Sequence, residues 1–300
     1  MKKVGVIGLG DMGSGLAKNL MANGFAVSGL DLDPARMQAF VAAGGTPADS
    51  AAEAGQGAVA VFVMVMNGDQ AKAVILGDGL VSTMAKGSAV ILSATIKTRE
   101  AEEIGAAMAD TGIHLIDSPV SGGFPGAQGG TLTMMAAASD QVMAEFRDVM
   151  EAVSGTIHHV GTAPGMGQTV KACLQSLIGS IFTATYEASV LAARAGVSGT
   201  VLHKVFSTSS AGNGITNGSL ENIMDRKFEK TGSHINTMHK DLTISMDLAR
   251  DLGVPLFTAA TAMQLFQAGK TRHPDGDNQS VTLVAEEIVG ARLTRHGDPS

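Results

Sequence analysis

The first half of the chain alternates short apolar runs with segments of helical spacing. The longest run, AVAVFVMVM at residues 58–66, has no polar alternation, which is typical of a strand buried on both faces. VGVI, AVSGL, SAVILS and IHLID predict further strands, and TLTMMAAA and TIHHV predict two more around a helix at residues 140–153. Strands and helices that alternate in this way form βαβ units, so the sequence predicts an α/β fold with a doubly wound parallel sheet.

The second half of the chain has helical spacing almost throughout. Apolar residues at positions 170, 174, 177, 178, 181 and 182 predict one helix that continues to about residue 195, before Gly196. Such a helix is too long for a small domain, so it is predicted to bridge two domains. We therefore expect an N-terminal Rossmann domain, residues 1–163, joined by the long helix to an all-helical C-terminal domain, residues 164–300.

Composition excludes several classes of protein. The net charge is −7 and no run is rich in lysine or arginine, so nucleic acid and anionic membranes are poor partners. Cys173 is the one cysteine, so no intramolecular disulfide is possible; we expect it to be a buried core thiol. The histidines are scattered, which predicts no metal site. No apolar run reaches the roughly 18 residues of a membrane span, and a reducing cytoplasm fits these features.

The segment GLGDMG, which begins at Gly8, follows the first predicted strand and opens the first predicted helix, as a dinucleotide-binding turn requires. Gly8 permits the tight turn, Gly10 lets the backbone approach a pyrophosphate, and Gly13 allows close packing of helix on strand. The free N–H groups of the helix N-terminus favour the anion. Asp11 and Met12 belong to the same turn and are predicted cofactor contacts. A glycine-rich turn without a ligand is the alternative.

Asp31 ends the second predicted strand, 18 positions after Gly13. This is close to the spacing of about 20 expected of a ribose-binding carboxylate. Such a carboxylate accepts hydrogen bonds from the ribose hydroxyls of NAD and repels the 2′-phosphate of NADP. Leu32 follows, where an NADP enzyme would have an arginine, so NAD is the predicted cofactor. The alternative for Asp31 is a helix cap before Pro34, a role that suits Asp33 better.

Three further stretches, together with the glycine turn, resemble the β-hydroxyacid dehydrogenases, the family of 3-hydroxyisobutyrate, tartronate-semialdehyde and L-threonate dehydrogenases. They are DSPVSGGFPGAQGGTL at residues 117–132, GMGQTVKACLQ at 165–175 and KDLTISMDLARDLGVP at 240–255. They are spread over most of the chain in the family's order. The resemblance implies NAD-dependent oxidation of a small 3-hydroxy acid, such as a threonate-like sugar acid, to the 3-oxo acid or semialdehyde.

The SGG element of the first stretch follows a predicted strand and is a flexible turn with exposed N–H groups and one hydroxyl. Such a turn can bind a carboxylate, so Ser121, Gly122 and Gly123 are predicted to hold the substrate carboxylate; an ordinary turn is the alternative. The resemblance further implies cofactor contacts at Asn67, Thr95 and Lys240.

Lys171 and Gln175 in the second stretch are four positions apart on one helix, hence on one face. Taken alone, Lys171 would be a lysine whose stem packs while its amine reaches water. The resemblance implies instead that it is the general acid/base. Burial would disfavour the ammonium form and move the pKa of this lysine toward the working pH.

Some positions depart from most of the family. Gln175 stands where asparagine is common, and it looks like the L-threonate branch, as does Asn213 in SAGN. Lys97 and Thr98 replace a small residue and a proline, and Ile215 stands where that branch often has tryptophan.

The remaining expectations concern assembly and rival functions. The long helix and the small helical domain suggest a homodimer or homotetramer. A 3-hydroxyisobutyrate or tartronate-semialdehyde type of enzyme is the alternative activity. A non-catalytic dinucleotide-binding sensor is the remote alternative.

Overall fold

Parallel strands dominate the N-terminal half of the chain. The computed structural model describes residues 1–297, and within them the strands form one nine-stranded sheet. The strands are β1 (Lys3–Ile7), β2 (Ala26–Leu30), β3 (Thr46–Pro47), β4 (Ala60–Val63), β5 (Ala89–Leu92), β6 (His114–Asp117), β7 (Val120–Ser121), β8 (Leu132–Ala137) and β9 (Ser154–Gly161).

The sheet has the order β3-β2-β1-β4-β5-β6-β8-β7, and β9 pairs with β8. Strands β1 to β6 are parallel, which confirms the doubly wound sheet. The far edge is mixed, because β8 runs antiparallel to β6 and β7. Only about ten residues join β7 to β8, fewer than a parallel crossover needs.

Helices cover the sheet and form the rest of the chain. In the first half they are α1 (Asp11–Ala22), α2 (Pro34–Ala42), α3 (Ala51–Gly55), α4 (Gly68–Lys72), α5 (Leu80–Thr83), α6 (Thr98–Met108), α7 (Gly123–Gly129), α8 (Asp140–Glu145) and α9 (Arg147–Glu151), with a π-helical turn at Ala73–Gly77. The others are α10 (Met166–Arg194), α11 (Gly199–Thr208), α12 (Gly214–Met224), α13 (Ile235–Asp251), α14 (Phe257–Arg272) and α15 (Val281–Val289), with a 3₁₀ turn at Asn278–Ser280.

Several boundaries differ from the prediction. The run at residues 58–66 forms a strand only at Ala60–Val63, because the chain leaves the sheet at its carboxyl edge before α4. The single helix predicted at 140–153 is two short helices, α8 and α9. Strands β3 and β7 were not predicted, since two residues are too few for a periodic signal.

Both faces of the sheet are buried, which explains the continuous apolar runs. Val4 and Phe62 pack in the core on one face, and Val61 and Leu92 pack in the core on the other, all fully buried. Neighbouring residues of one strand point to opposite faces. Each strand therefore needs apolar residues at every position.

The chain divides into two compact units, Met1–Lys171 and a second that begins at Ala172. We expected a division near residue 163, where helical spacing begins. The first turn of α10, however, packs within the N-terminal unit: a Cβ at Gly167 would lie 2.6 Å from the carbonyl oxygens of both Asp117 and Met135. The second unit has its own core, which includes Phe182, Tyr186 and Phe266.

Helix α10 has the length and composition of a membrane span. Its buried positions, however, include the polar residues Gln168, Lys171 and Gln175. Polar groups on the packed face are typical of a core helix in a water-soluble protein that carries a site. Length and composition alone are weak grounds for a membrane segment.

Candidate active site

The glycine turn between β1 and α1 has the backbone that its sequence predicts. Gly8 has φ +90°, and a Cβ there would lie 2.2 Å from the Met64 carbonyl oxygen. A Cβ at Gly13 would lie 1.7 Å from the Gly8 carbonyl oxygen. Neither position tolerates a side chain, so both glycines serve close packing within the turn.

Gly10 differs from these two glycines. It precedes α1 as its N-cap, and a Cβ there would meet no atom closer than the Arg36 guanidinium, at 3.6 Å. A Cβ at Gly10 would therefore be only in ordinary van der Waals contact, with the Arg36 guanidinium, so no protein atom crowds this helix N-terminus. Its unpaired N–H groups attract an anion. A pyrophosphate fits this position. Asp11 and Met12 form the first turn of α1.

Asp31 lies directly after β2, and its side chain is 9% exposed. Its carboxylate accepts hydrogen bonds from the backbone N–H of Leu9 at 2.7 Å and of Asp33 at 2.9 Å. It therefore ties the glycine turn to the end of β2. Asp33 caps α2, with Oδ1 accepting from the Ala35 N–H at 2.8 Å, which confirms the cap predicted for it.

Arg36 was not among the predicted cofactor residues, since an arginine beside the ribose was expected only at position 32. The first turn of α2 brings its Nη1 to 3.5 Å from Asp31 Oδ2 and its Nε to 3.6 Å from Asp33 Oδ2. A cation therefore stands beside the predicted ribose-binding carboxylate. This contact could have been predicted from the sequence, because Arg36 stands three residues after the cap Asp33 and helix geometry brings two such side chains together.

The predicted cofactor residues follow the carboxyl ends of parallel strands. The glycine turn follows β1, Asp31 follows β2, Asn67 follows β4 and Thr95 follows β5. Because β1 lies between β2 and β4, the strand order reverses here, which is where open α/β sheets bind ligands. Asn67 also caps α4, with its Oδ1 accepting from the Gln70 N–H at 2.9 Å.

The predicted carboxylate-binding turn joins β7 to α7. Ser121 ends β7, and Gly122 and Gly123 have φ values of +129° and +58°, which favour glycine. Helix α7 packs directly on the cofactor helix α1: a Cβ at Gly15 would lie 2.5 Å from the Ala127 carbonyl carbon and oxygen. The helix that follows the predicted substrate turn is therefore in close contact with the predicted cofactor helix.

Lys171 lies in the second turn of α10 and is 6% exposed. The start of this helix is fixed by Asp117 at the end of β6. Asp117 Oδ2 accepts hydrogen bonds from the backbone N–H groups of Gly165, Gly167 and Gln168 at 2.8, 2.9 and 3.3 Å. Complete burial raises the pKa of Asp117 to about 6, against the opposing effect of these donors.

Cys173, two residues after Lys171, is exposed, so the expectation of a buried core thiol was wrong. Its apolar neighbours suggested burial. Two residues, however, correspond to a rotation of roughly 200° around a helix, and Cys173 lies away from the packed face.

Gln175 is buried and its amide is oriented by Asp241 of α13. Gln175 Nε2 donates to Asp241 Oδ2 at 2.6 Å, and Lys240 Nζ lies 3.0 Å from the other carboxylate oxygen. Asp241 was not among the predicted site residues, although it stands in the KDL motif. Asn213 caps α12: its Oδ1 accepts from the N–H groups of Ile215 and Thr216 at 2.9 and 3.0 Å.

The Asn213 amide nitrogen donates to the Ala211 carbonyl and to Thr216 Oγ1. Both ends of this amide are thus engaged in the local structure, and its predicted contact with substrate stays a prediction. Within residues 1–297, no group of three or more histidine, cysteine, aspartate or glutamate side chains is arranged to hold a metal ion.

Comparison with known proteins assigns the class. Residues 3–161 match the family described as the NAD binding domain of 6-phosphogluconate dehydrogenase, and residues 165–285 match the family described as NAD-binding of NADP-dependent 3-hydroxyisobutyrate dehydrogenase. The chain belongs to the β-hydroxyacid dehydrogenase family, and it is an NAD-dependent oxidoreductase that acts on the CH–OH group of a small hydroxy acid.

Individual relatives span nearly the whole chain. L-threonate dehydrogenase of Cupriavidus necator is 35% identical over 283 residues, 94% of this chain and 95% of that protein. 3-Hydroxyisobutyrate dehydrogenase of Pseudomonas aeruginosa is 32% identical over 273 residues, 89% of this chain and 91% of that protein. The crystal structure of 3-hydroxyisobutyrate dehydrogenase from Salmonella typhimurium aligns with a TM-score of 0.86 at 32% identity, covering 95% of this chain and 100% of that one.

Proposed function

We propose that the protein oxidises a small, hydroxylated 3-hydroxy acid of the threonate type, with Lys171 as general acid/base. The observation that carries this proposal is a lysine, 6% exposed, one helical turn before a buried glutamine whose amide is oriented by a carboxylate. A neutral amine can take a hydroxyl proton, and burial favours the neutral amine.

The roles of the other residues follow from their positions. The turn at Gly8, Gly10 and Gly13 would hold the pyrophosphate of NAD, and Asp31 would accept from its adenosine ribose. NAD, when bound, supplies an acceptor for the hydride. Ser121 and the N–H groups of the two glycines after it would hold the substrate carboxylate. Lys171 would take the hydroxyl proton in the oxidation and return it in the reverse reaction.

The buried amide of Gln175 favours the proposal that the substrate is polar. The nitrogen of its buried amide donates to Asp241, so the amide oxygen is the atom that an apolar substrate group would leave without a partner. Such a site discriminates strongly against analogues that lack the matching hydroxyl. The similarity to L-threonate dehydrogenases at 35% identity points the same way. Oxidation of 3-hydroxyisobutyrate, the alternative, is supported by the relative at 32% identity.

The test is a panel of hydroxy acids, including threonate, 3-hydroxyisobutyrate, glycerate and L-serine, assayed by the absorbance of NADH formed from NAD. The expected result is the highest kcat/KM for threonate or a related sugar acid. A higher kcat/KM for 3-hydroxyisobutyrate than for every sugar acid contradicts the threonate assignment. NADH binding without turnover of any acid favours the non-catalytic sensor.

We further propose that the protein acts in the cytoplasm as a homodimer or homotetramer. Large apolar side chains are exposed on helices of its second unit, among them Leu191 at 72%, Val205 at 55% and Ile288 at 80%. Large apolar side chains this exposed favour burial against another subunit when they form one surface. Light scattering on the purified protein would measure the mass; a monomer at micromolar concentration contradicts the proposal.

A further inference from the structure

Gln168 lies three residues before Lys171 in the sequence GMGQTVK and is 1% exposed. A glutamine amide buried this completely must find its hydrogen-bond partners within the protein. Its surroundings therefore show which parts of the structure it holds together.

The Gln168 amide pairs with the backbone on both sides of Thr95. Its Nε2 donates to the Ala94 carbonyl at 3.1 Å, and its Oε1 accepts from the Ile96 N–H at 3.0 Å. The second Nε2 hydrogen is donated to Asp117 Oδ1 at 2.9 Å. Both donors of the amide and its acceptor are thus used.

Asp117 completes this arrangement from the other side. While Oδ1 accepts from the Gln168 side chain, Oδ2 accepts the backbone N–H groups that begin α10. The closeness of Gly167 to the Asp117 carbonyl leaves no room for the helix to shift toward β6. The first turn of α10 is therefore fixed to the loop after β5 and to the end of β6.

We infer that Gln168 is a positioning residue for Lys171, which lies within one turn of it on α10. This inference rests on the proposed role of Lys171 as acid/base. Loss of the Gln168 amide frees the start of α10 from the loop that contains Thr95, so the Lys171 amine moves. Displacement of a reacting group by about 1 Å costs roughly 100-fold in rate.

The first experiment compares Gln168→Met with Gln279→Met. Gln279 is another buried glutamine, 2% exposed, whose amide donates to the Lys227 carbonyl and to Thr231 Oγ1. We expect Gln168→Met to lower kcat roughly 10- to 100-fold with little change in the Kd of NADH, and Gln279→Met to keep kcat. Equal effects of the two variants would overturn the inference.

Gln168→Glu is the second variant and serves if Gln168→Met, which leaves several buried groups without partners, does not fold in good yield. Glutamate keeps the length of the side chain and an acceptor for the Ile96 N–H, but it loses the donors to Ala94 and Asp117. We expect the same fall in kcat. A loss of NADH affinity as large as the loss of kcat/KM, in either variant, would mean that Gln168 acts through Thr95 and would overturn the inference.

The decisive measurement is a double-mutant cycle with Lys171→Ala. If Gln168 acts by placing the lysine, Gln168→Met has almost no further effect on kcat once the lysine is gone, because coupled residues are not additive. The same fold loss in both backgrounds contradicts the inference and leaves the role of Lys171 intact. Full activity of Lys171→Ala itself would instead contradict the proposed function.

Discussion

Asp117 makes the stability of the protein depend on pH in an unusual direction. Its pKa rises from 3.8 to about 6 on folding because the carboxyl is completely buried. The folded state therefore binds this proton more tightly than the unfolded state does. The resulting stabilisation is fully present below pH 3.8 and is lost as the pH rises through about 6.

The magnitude follows from the same values. One pKa unit corresponds to about 1.4 kcal/mol, so the rise from 3.8 to about 6 gives at most roughly 3 kcal/mol. Asp117→Asn removes the titration and keeps the size of the side chain. The free energy of unfolding of the wild type, relative to this variant, is therefore expected to increase by roughly 2–3 kcal/mol as the pH falls from about 7.5 to 4.

Urea unfolding followed by circular dichroism, at several pH values for both proteins, measures this difference. Glu103 and Asp225 have lowered pKa values and act in the opposite direction. Both proteins contain these two carboxyls, so the difference between wild type and variant removes their contribution. A difference that is the same at every pH would refute the reasoning: the donors at the start of α10 would then keep Asp117 ionised in spite of its burial.

Three further predictions concern the ligands. NAD is expected to be preferred over NADP because Asp31 would face the 2′-phosphate, and Asp31→Asn with Leu32→Arg should move the ratio of kcat/KM values toward NADP. Equal kcat/KM values of the wild type with NAD and NADP would mean that Asp31 is not at the ribose. Arg36→Ala should reduce kcat/KM with NADP several-fold more than with NAD, since the Arg36 guanidinium is the cation beside the Asp31 carboxylate. An unchanged ratio of the two kcat/KM values would mean that Arg36 does not contact the 2′-phosphate. Gln175→Leu should reduce the ratio of kcat/KM for threonate to kcat/KM for 3-hydroxyisobutyrate by roughly 10-fold or more. An unchanged ratio would mean that residues other than Gln175 select the substrate.

Local patterns predicted much of the fold. The apolar runs identified strands buried on both faces, and helical spacing identified the end of α10 to within a residue or two. The cap at Asp33 followed from its place before Pro34. These features depend on residues close together in sequence, where periodicity and capping preferences apply directly.

Contacts between distant parts of the chain could not be predicted in this way. Gln168 and Asp117 are hydrogen-bonded although 51 positions separate them, and no periodic pattern connects them. Gln175 and Asp241 are 66 positions apart. Asn213 is a different case, because an asparagine just before a helix is a common cap, and this signal was available from the sequence.

The central claim, that Lys171 is the general acid/base, is tested most directly by the kcat of Lys171→Arg and Lys171→Ala beside the Kd of NADH. The account predicts that both variants bind NADH normally and lose roughly 10²- to 10⁴-fold in kcat. Arginine fails because its guanidinium keeps its proton in this pH range. A Lys171→Arg variant with nearly full kcat would show that the residue only binds substrate and that the base lies elsewhere.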